Sequence, residues 1–413
     1  MIDYNKALKI IFKNKIKINN EKVLTSMSLN RICAKNIYSP ANYPPANNSA
    51  FDGFALVFKE TKNLNEHREK RFKIIKTVAA GDDPKILNYK KGSTIEIMTG
   101  GVIPKPFDTV VPVEDAKVEN ITYKNKNIII KKNIKKHAHV RFAGSDFNKK
   151  DLVVKNGEII EPKHLMAFSI LGIKKILVKK QPKILFISTG KEIVKISKKK
   201  IKIWQIRNSN NNYLISLNKY IQSKIIDGGI IKDNQQNKLK KLLRKITKSN
   251  IDIVLTSGAI SAGKFDFIPK ILKQIGIKIL FKKVAIRPGK PILFGRFPNK
   301  NKFFFGLPGN PISSAACFRF FVYPFLRHSL ELKKEKLFKA RLKHNFIKKK
   351  KFTRFLKGIL SINNKGAKHI TILKGQESFR IKPFVKANVW SVFRPGKEKF
   401  RKGELVDCLL INP

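Results

Sequence analysis

Phe303 to Pro311 reads F-F-F-G-L-P-G-N-P and runs on into Ile312, Ser313, Ser314, Ala315 and Ala316. Three aromatic residues suit a buried strand, Gly306 to Asn310 forces a tight turn, and Ser313 and Ser314 open an alanine-bearing segment that suits a helix. Such a turn leaves backbone N–H groups pointing outward, and the first turn of the helix adds partial positive charge, so an anion is its natural ligand. For one loop alone an ordinary strand-to-helix connection is the simpler reading. Three further loops shift the balance.

Each of them follows an apolar run: Ser188-Thr189-Gly190 after Lys183 to Ile187, Thr256-Ser257-Gly258 after Ile251 to Leu255, and Arg287-Pro288-Gly289-Lys290 after Lys282 to Ile286. Helical patterns separate the first three turns: Tyr213, Leu214, Leu217 and Ile221 share one face, and Leu239, Leu242, Leu243 and Ile246 another. The β-α-β alternation predicts an open parallel sheet whose carboxyl-end loops lie along one edge, where ligands bind. All four glycine-bearing turns are therefore expected to converge on one crevice.

At 413 residues the chain is too long for one core, and about two to four domains are expected. No apolar run is long enough to span a membrane, and Met1 to Lys6 lacks an apolar signal region, so the expectation is a soluble, cytoplasmic protein. Cys33, Cys317 and Cys408 are scattered and unpaired in spacing, which suggests neither disulfides nor zinc. The net charge of +60 would ordinarily point to nucleic acid. Its lysines are spread along the whole chain among isoleucine and asparagine, with no basic tail, and compositional drift accounts for that spread better than a specific nucleic-acid partner.

In chain order, Tyr4 to about Tyr38 carries a helical pattern around Ala7, Leu8, Ile11 and Phe12, then a second helix-like run. A Pro- and Asn-rich loop, Ser39 to Ser49, delivers Phe51-Asp52-Gly53. Short strands follow from Phe72 to Ile134 and contain Met98-Thr99-Gly100-Gly101, where two glycines let backbone approach a ligand or simply turn a hairpin. His164 to Leu171 reads as a helix ended by Gly172. A lysine-rich segment from Lys333 to Lys351 precedes a last β-rich portion with Gly375-Gln376-Glu377-Ser378.

Taken in order, S-A-F-D-G-F-A at 49–55, I-M-T-G-G at 97–101, R-F-A-G-S-D at 141–146, S-T-G-K-E at 188–192, T-S-G-A-I-S-A-G at 256–263, A-I-R-P-G-K-P at 285–291 and G-L-P-G-N-P-I-S at 306–313 closely resemble the bacterial molybdopterin molybdenumtransferase family, relatives of the gephyrin E domain. The resemblance covers nearly the whole chain. It implies an α/β and β multidomain protein: a central three-layer α/β domain of molybdopterin-binding type at 173–328, a β-rich inserted domain at 46–137, an N-terminal linker domain from 1–45 plus 138–172, and a C-terminal barrel-like domain at 329–413. It also implies a homodimer that inserts molybdate into molybdopterin-AMP with release of AMP, helped by Mg2+, with molybdopterin adenylyltransferase as a possible partner.

By the same resemblance Asp52, Thr99, Asp146, Glu192, Asp233 and Asp266 match catalytic positions, with Glu192 and Asp266 the expected metal ligands. Ser188, Thr189, Gly190, Thr256, Ser257 and Gly258 match the substrate-binding turns. Arg287, Lys290 and Ser313 match the molybdate portion; Lys283, Pro308 and Pro311 match the pterin site, with Gly309 as a further substrate-binding residue; and Lys357, where the family carries arginine, joins Ser378 in the C-terminal part. Lys191, Asn208, Ala259 and Glu96 depart from the family's motifs. Two other readings stay open: an adenylyltransferase, against which the long N- and C-terminal parts argue, and a non-enzymatic scaffold of the gephyrin type.

Overall fold

A computed structural model describes residues 1–85, 88–122, 125–260, 267–298 and 301–412. Its centre is a six-stranded sheet in the order Lys224–Ile231, Lys183–Thr189, Ile253–Ser257, Phe303–Leu307, Leu293–Arg296, Lys278–Lys282. The first four strands are parallel, and Leu293–Arg296 runs antiparallel to both of its neighbours, so Lys278–Lys282 points the same way as the first four. Because side chains alternate along a strand, Phe303 and Phe305 enter one core with Ile184, Phe186, Leu255 and Leu214, while Phe304 enters the opposite one with Val254, Leu239, Leu243 and Ile271. Helices Ser209–Ser216 and Pro311–Cys317 cover the first face, Gln236–Ile246 and Ile268–Gln274 the second. This is the expected three-layer domain.

Two expectations about its edges change. Lys175–Lys179, inside the expected bounds of the α/β domain, does not join this sheet; it pairs antiparallel with Asn20–Leu24. Ile176 and Val178 bury themselves with Cys33 and Phe168, which gives that strand a core of its own and starts the α/β unit at Lys183. The Arg287 turn also does not follow a strand of the central sheet. Between the antiparallel strands Lys278–Lys282 and Leu293–Arg296 the chain swings out, and Ile286–Arg287 pairs with the C-terminal domain instead.

The helix Tyr4–Phe12, capped by the Asp3 carboxylate on Lys6 N, places Ala7 and Ile11 in the first core of the α/β domain. The β-rich unit is a six-stranded sheet running Thr109–Pro112, Gly53–Leu56, Ser93–Ile97, Lys70–Val78, Asn125–Ile130, Lys117–Thr122. Alternation again splits its apolar residues, Phe54 and Val111 to one side, Ala55 and Val110 to the other. The segment after it returns to the N-terminal part: Val140–Arg141 pairs with Asn48–Ser49, and Leu152–Val154 with Ile37–Tyr38. In the C-terminal domain Thr353–Ile362 pairs with both Lys368–Ile372 and Val389–Phe393, and the ring closes through Leu405–Leu410 and Phe338–Leu342. The result is a closed barrel around Leu356, Ile370, Val389 and Phe393.

Candidate active site

The turns at the carboxyl ends of the parallel strands meet the barrel around a cavity of about 1020 Å³. The Ser188, Ser257, Arg287 and Pro308 loops all line it, so the expected convergence holds, although the fourth wall comes from the barrel side.

The framework is a set of hydrogen bonds between the turns. Asn210 Nδ2 donates to Ser257 Oγ at 2.6 Å and to the Gly309 carbonyl at 2.8 Å. Ser188 Oγ bonds Asn208 Oδ1 at 3.0 Å, and Thr189 Oγ1 donates to the Ser257 carbonyl at 3.0 Å. Asn208 also caps the helix Ser209–Ser216 by accepting from Asn211 N. Gly258 sits at φ +101°, and a Cβ there would lie 2.5 Å from the Thr189 carbonyl oxygen, so the close approach of the two turns requires glycine.

Not every turn N–H is offered to a ligand. Gly190 N donates to the Ile231 carbonyl and Gly258 N to that of Leu307, because the ladder continues one residue past the strands. Among the described residues, Gly309 N and Asn310 N have no protein acceptor, at the start of the helix Pro311–Cys317. An anion placed there would meet unsatisfied donors and the positive end of the helix.

Charged side chains complete the lining. Lys191, Arg207, Arg287, Lys290 and Arg354 face the cavity with Glu192, Asp233 and Glu377. Asp233 Oδ2 accepts from Lys191 N at 3.3 Å, which draws the two strand-end loops together. The Glu192 carboxylate folds back so closely over Gly190 that a Cβ there would lie 2.6 Å from Oε2. Arg287 stacks on Phe352, 5.1 Å from the ring centre. Burial, and then the charge of Arg287, lower the pKa of the Arg354 guanidinium. From the barrel side Ser378 Oγ accepts from Asn310 Nδ2 at 2.8 Å, and its carbonyl accepts from Ile312 N.

Of the expected site residues, Ser188, Thr189, Gly190, Glu192, Asp233, Ser257, Gly258, Arg287, Lys290, Pro308, Gly309, Pro311, Ser313 and Ser378 line this cavity. Thr256 does not: it is fully buried within its strand, opposite Gly306. Lys283 lies outside as well, where its carbonyl accepts from Ile2 N. Lys357 is fully buried, and its ammonium donates to the carbonyls of Gly375, Glu377 and Arg380. It therefore holds the loop that carries Ser378 and is turned away from the cavity, and burial lowers its pKa. Asp266 lies outside the described residues.

Asp52 and Thr99 form a separate corner of the β-rich unit. Asp52 Oδ1 accepts from Thr99 N at 2.6 Å, and that bond, with one from the Thr99 hydroxyl, holds the exposed carboxylate below its ordinary pKa. Asp146 is exposed on the neighbouring loop, its N–H bonded to the Tyr43 carbonyl. None of the three lines the cavity within this chain.

Sequence reasoning marked Asn208 and Asn210 only as a departure from the family's D-S-N motif and gave them no role, and it missed Arg354. The asparagines sit just where a strand-like run meets a helix, a capping signal that could have marked them. Among the described residues no group of three His, Cys, Asp or Glu side chains could hold a metal ion, and no helix is long and apolar enough to cross a membrane.

Comparison with known proteins agrees with this architecture part by part. The MoeA N-terminal region (domain I and II) matches residues 2–172, the probable molybdopterin binding domain 185–328, and the MoeA C-terminal region (domain IV) 339–411. The chain is 30% identical to the molybdopterin molybdenumtransferase of Haemophilus influenzae over 91% of its own length and 90% of the relative's. To that of Staphylococcus epidermidis it is 28% identical, over 99% and 95%. A crystal structure of a molybdopterin biosynthesis MoeA protein from Pyrococcus superposes with a TM-score of 0.83 at 31% identity, covering 100% of both chains. The chain belongs to the molybdopterin molybdenumtransferase family of molybdenum cofactor biosynthesis.

Proposed function

We propose that this enzyme inserts molybdenum into molybdopterin, taking molybdate and molybdopterin-AMP to the molybdenum cofactor and AMP. The observation that carries the reading is the cavity itself, where glycine turns, a helix start and five cations surround one space. The adenylylated pterin carries phosphates and molybdate is an oxyanion, and both are ligands of backbone N–H groups and fixed cations. Gly309 N and Asn310 N suit a phosphate, and Arg287, Lys290, Ser313 and Ser378 suit the oxyanion.

Glu192 and Asp233 fit Mg2+ carried by the substrate's phosphates. That ion keeps several waters and needs only one or two carboxylates from the protein. Bound there it would neutralise phosphate charge; the two carboxylates would orient it, while the framework of Asn208 and Asn210 keeps the turns in register.

Asp52, Thr99 and Asp146 act in this reading on the cavity of a second copy, in a cytoplasmic homodimer whose two-fold arrangement creates two equivalent shared sites. The adenylylated pterin would come from a molybdopterin adenylyltransferase. Molybdate-dependent release of AMP from molybdopterin-AMP by the purified protein, followed chromatographically, tests the reaction. Release that is no faster with protein than without it would overturn the proposal.

A further inference from the structure

Resting on that reading, we infer that Arg354 is a ligand of the transferred oxyanion, paired with Arg287 as a two-guanidinium clamp across the boundary between the α/β domain and the barrel. Ile286–Arg287 and Thr353–Ile362 are parallel neighbours, and their register sets Arg287 directly beside Arg354. Side chains in register on adjacent strands point to the same face, about 4.8 Å apart at the backbone. Both arginines line the cavity.

Like charges set side by side on neighbouring strands destabilise a sheet unless something neutralises them. Among the described ion pairs neither Arg287 nor Arg354 has a carboxylate, and the nearest lining acid on the barrel side, Glu377, is taken by Arg380 at 3.2 Å. Arg354 Nε is buried without a hydrogen-bond partner. An unsatisfied, buried, charged donor is costly. Lys348, buried and within range of the Arg354 charge, adds a third cation to the neighbourhood, with Glu398 as the acid acting on it.

A small oxyanion between the two guanidiniums neutralises the like-charged pair and accepts from the N–H groups that both turn to the cavity, while the buried Arg354 Nε stays out of its reach. Lys357 cannot take this role, because its three donors are spent on the carbonyls of the Ser378 loop. The resemblance of the F-L-K-G run to the family's arginine-bearing run pointed to Lys357; the register points to the residue three positions earlier.

The test is the split between half-saturating concentrations in AMP release by the full-length protein. Arg354→Gln should raise half-saturating molybdate at least about tenfold, the scale of one charge-assisted hydrogen bond, and move half-saturating molybdopterin-AMP by less than about twofold. Arg354→Lys keeps the charge and loses the fork, so it should recover part of the molybdate effect. This variant also decides the matter if Arg354→Gln melts early. Unchanged molybdate dependence in both variants overturns the inference, as does an equal loss for both substrates, which would assign Arg354 to the pterin phosphates. A wild-type protein that releases no AMP brings down the functional reading itself, an outcome recognisable before any variant is made.

Discussion

The cavity of the α/β domain and the Asp52–Thr99 corner both present carboxylates on loops, and they differ in everything around them. Glu192 and Asp233 share a cavity with five cations, and the turns that wall it are bonded to one another. Asp52 is exposed, held by bonds from the Thr99 N–H and hydroxyl, and does not line that cavity. The cavity is thus built to hold an anionic ligand before it arrives, while the corner is a pre-oriented charge that needs a second surface to act upon.

Mixing subunits gives the largest effect and would break this contrast outright. Asp52→Ala and Glu192→Ala proteins should each be nearly inactive alone. Co-refolded in equal amounts they should recover about a quarter of wild-type AMP release, since about half of the dimers are mixed and each keeps one of two shared sites intact. Mixed dimers that form and stay inactive would place the corner and the cavity in independent roles.

A second measurement addresses the rigidity of the cavity. Gly258→Ala puts a methyl 2.5 Å from the Thr189 carbonyl oxygen at φ +101°. It should lower stability by about 2–3 kcal/mol, as a strained backbone and a forced shift of a neighbouring turn would, and urea denaturation reads it. A wild-type midpoint would mean that the two turns are not locked together.

How much of this was legible in the sequence follows from the range of the interactions. The strand Phe303–Leu307 and the helix after it were readable because an apolar run and a glycine turn act locally, although the helix begins at Pro311, two residues before the expected Ser313. The convergence of the turns was readable too, because parallel strands with crossover helices leave their carboxyl ends on one edge. Arg354 was not, since its role depends on the register between Ile286–Arg287 and a strand some 65 residues later, which no local pattern encodes. Lys357 was misplaced for the opposite reason: a motif match gives the position of a charge but not the direction of its side chain. The two strands Asn20–Leu24 and Lys175–Lys179 are short and form a two-stranded ladder flanked only by an isolated bridge from Cys33 to Val178, so neither has the neighbours that make a strand obvious.

The third test lies inside the framework. Asn210→Ala removes both donors of a bridge between Ser257 and Gly309 and leaves the Gly309 carbonyl without that partner. The expected loss is about 1–2 kcal/mol, with weaker binding of molybdopterin-AMP by calorimetry, because the Gly309–Asn310 donors lose their anchor. Unchanged binding with lowered stability would confine Asn210 to folding.

A change of opposite sign sharpens the same point. Ala259 follows the Ser257–Gly258 turn at φ +52°, a left-handed conformation that a Cβ resists. Ala259→Gly should therefore stabilise the protein by up to about 1 kcal/mol, the left-handed penalty less the extra freedom of glycine in the unfolded chain. Differential scanning calorimetry measures it, and a destabilised variant would mean that the methyl group packs usefully in the cavity wall.

The smallest effect concerns the corner alone. The bond from Thr99 N lowers the Asp52 pKa below that of the unfolded chain, so between the two values the unfolded state binds more protons than the folded one. Stability from this group is therefore fully present above the unfolded value of 3.8 and is lost as pH falls through the folded value. Asp52→Asn keeps an oxygen that can accept from Thr99 N and removes the charge, so it isolates the titration from the bond. The wild type should be the more stable of the two at pH 6, and the difference in urea midpoint should shrink steadily below 3.8. A difference that stays flat with pH would show that the carboxylate is held by the geometry of the loop and not by its charge, which would remove the reason for regarding the corner as a pre-oriented anion waiting for a second surface.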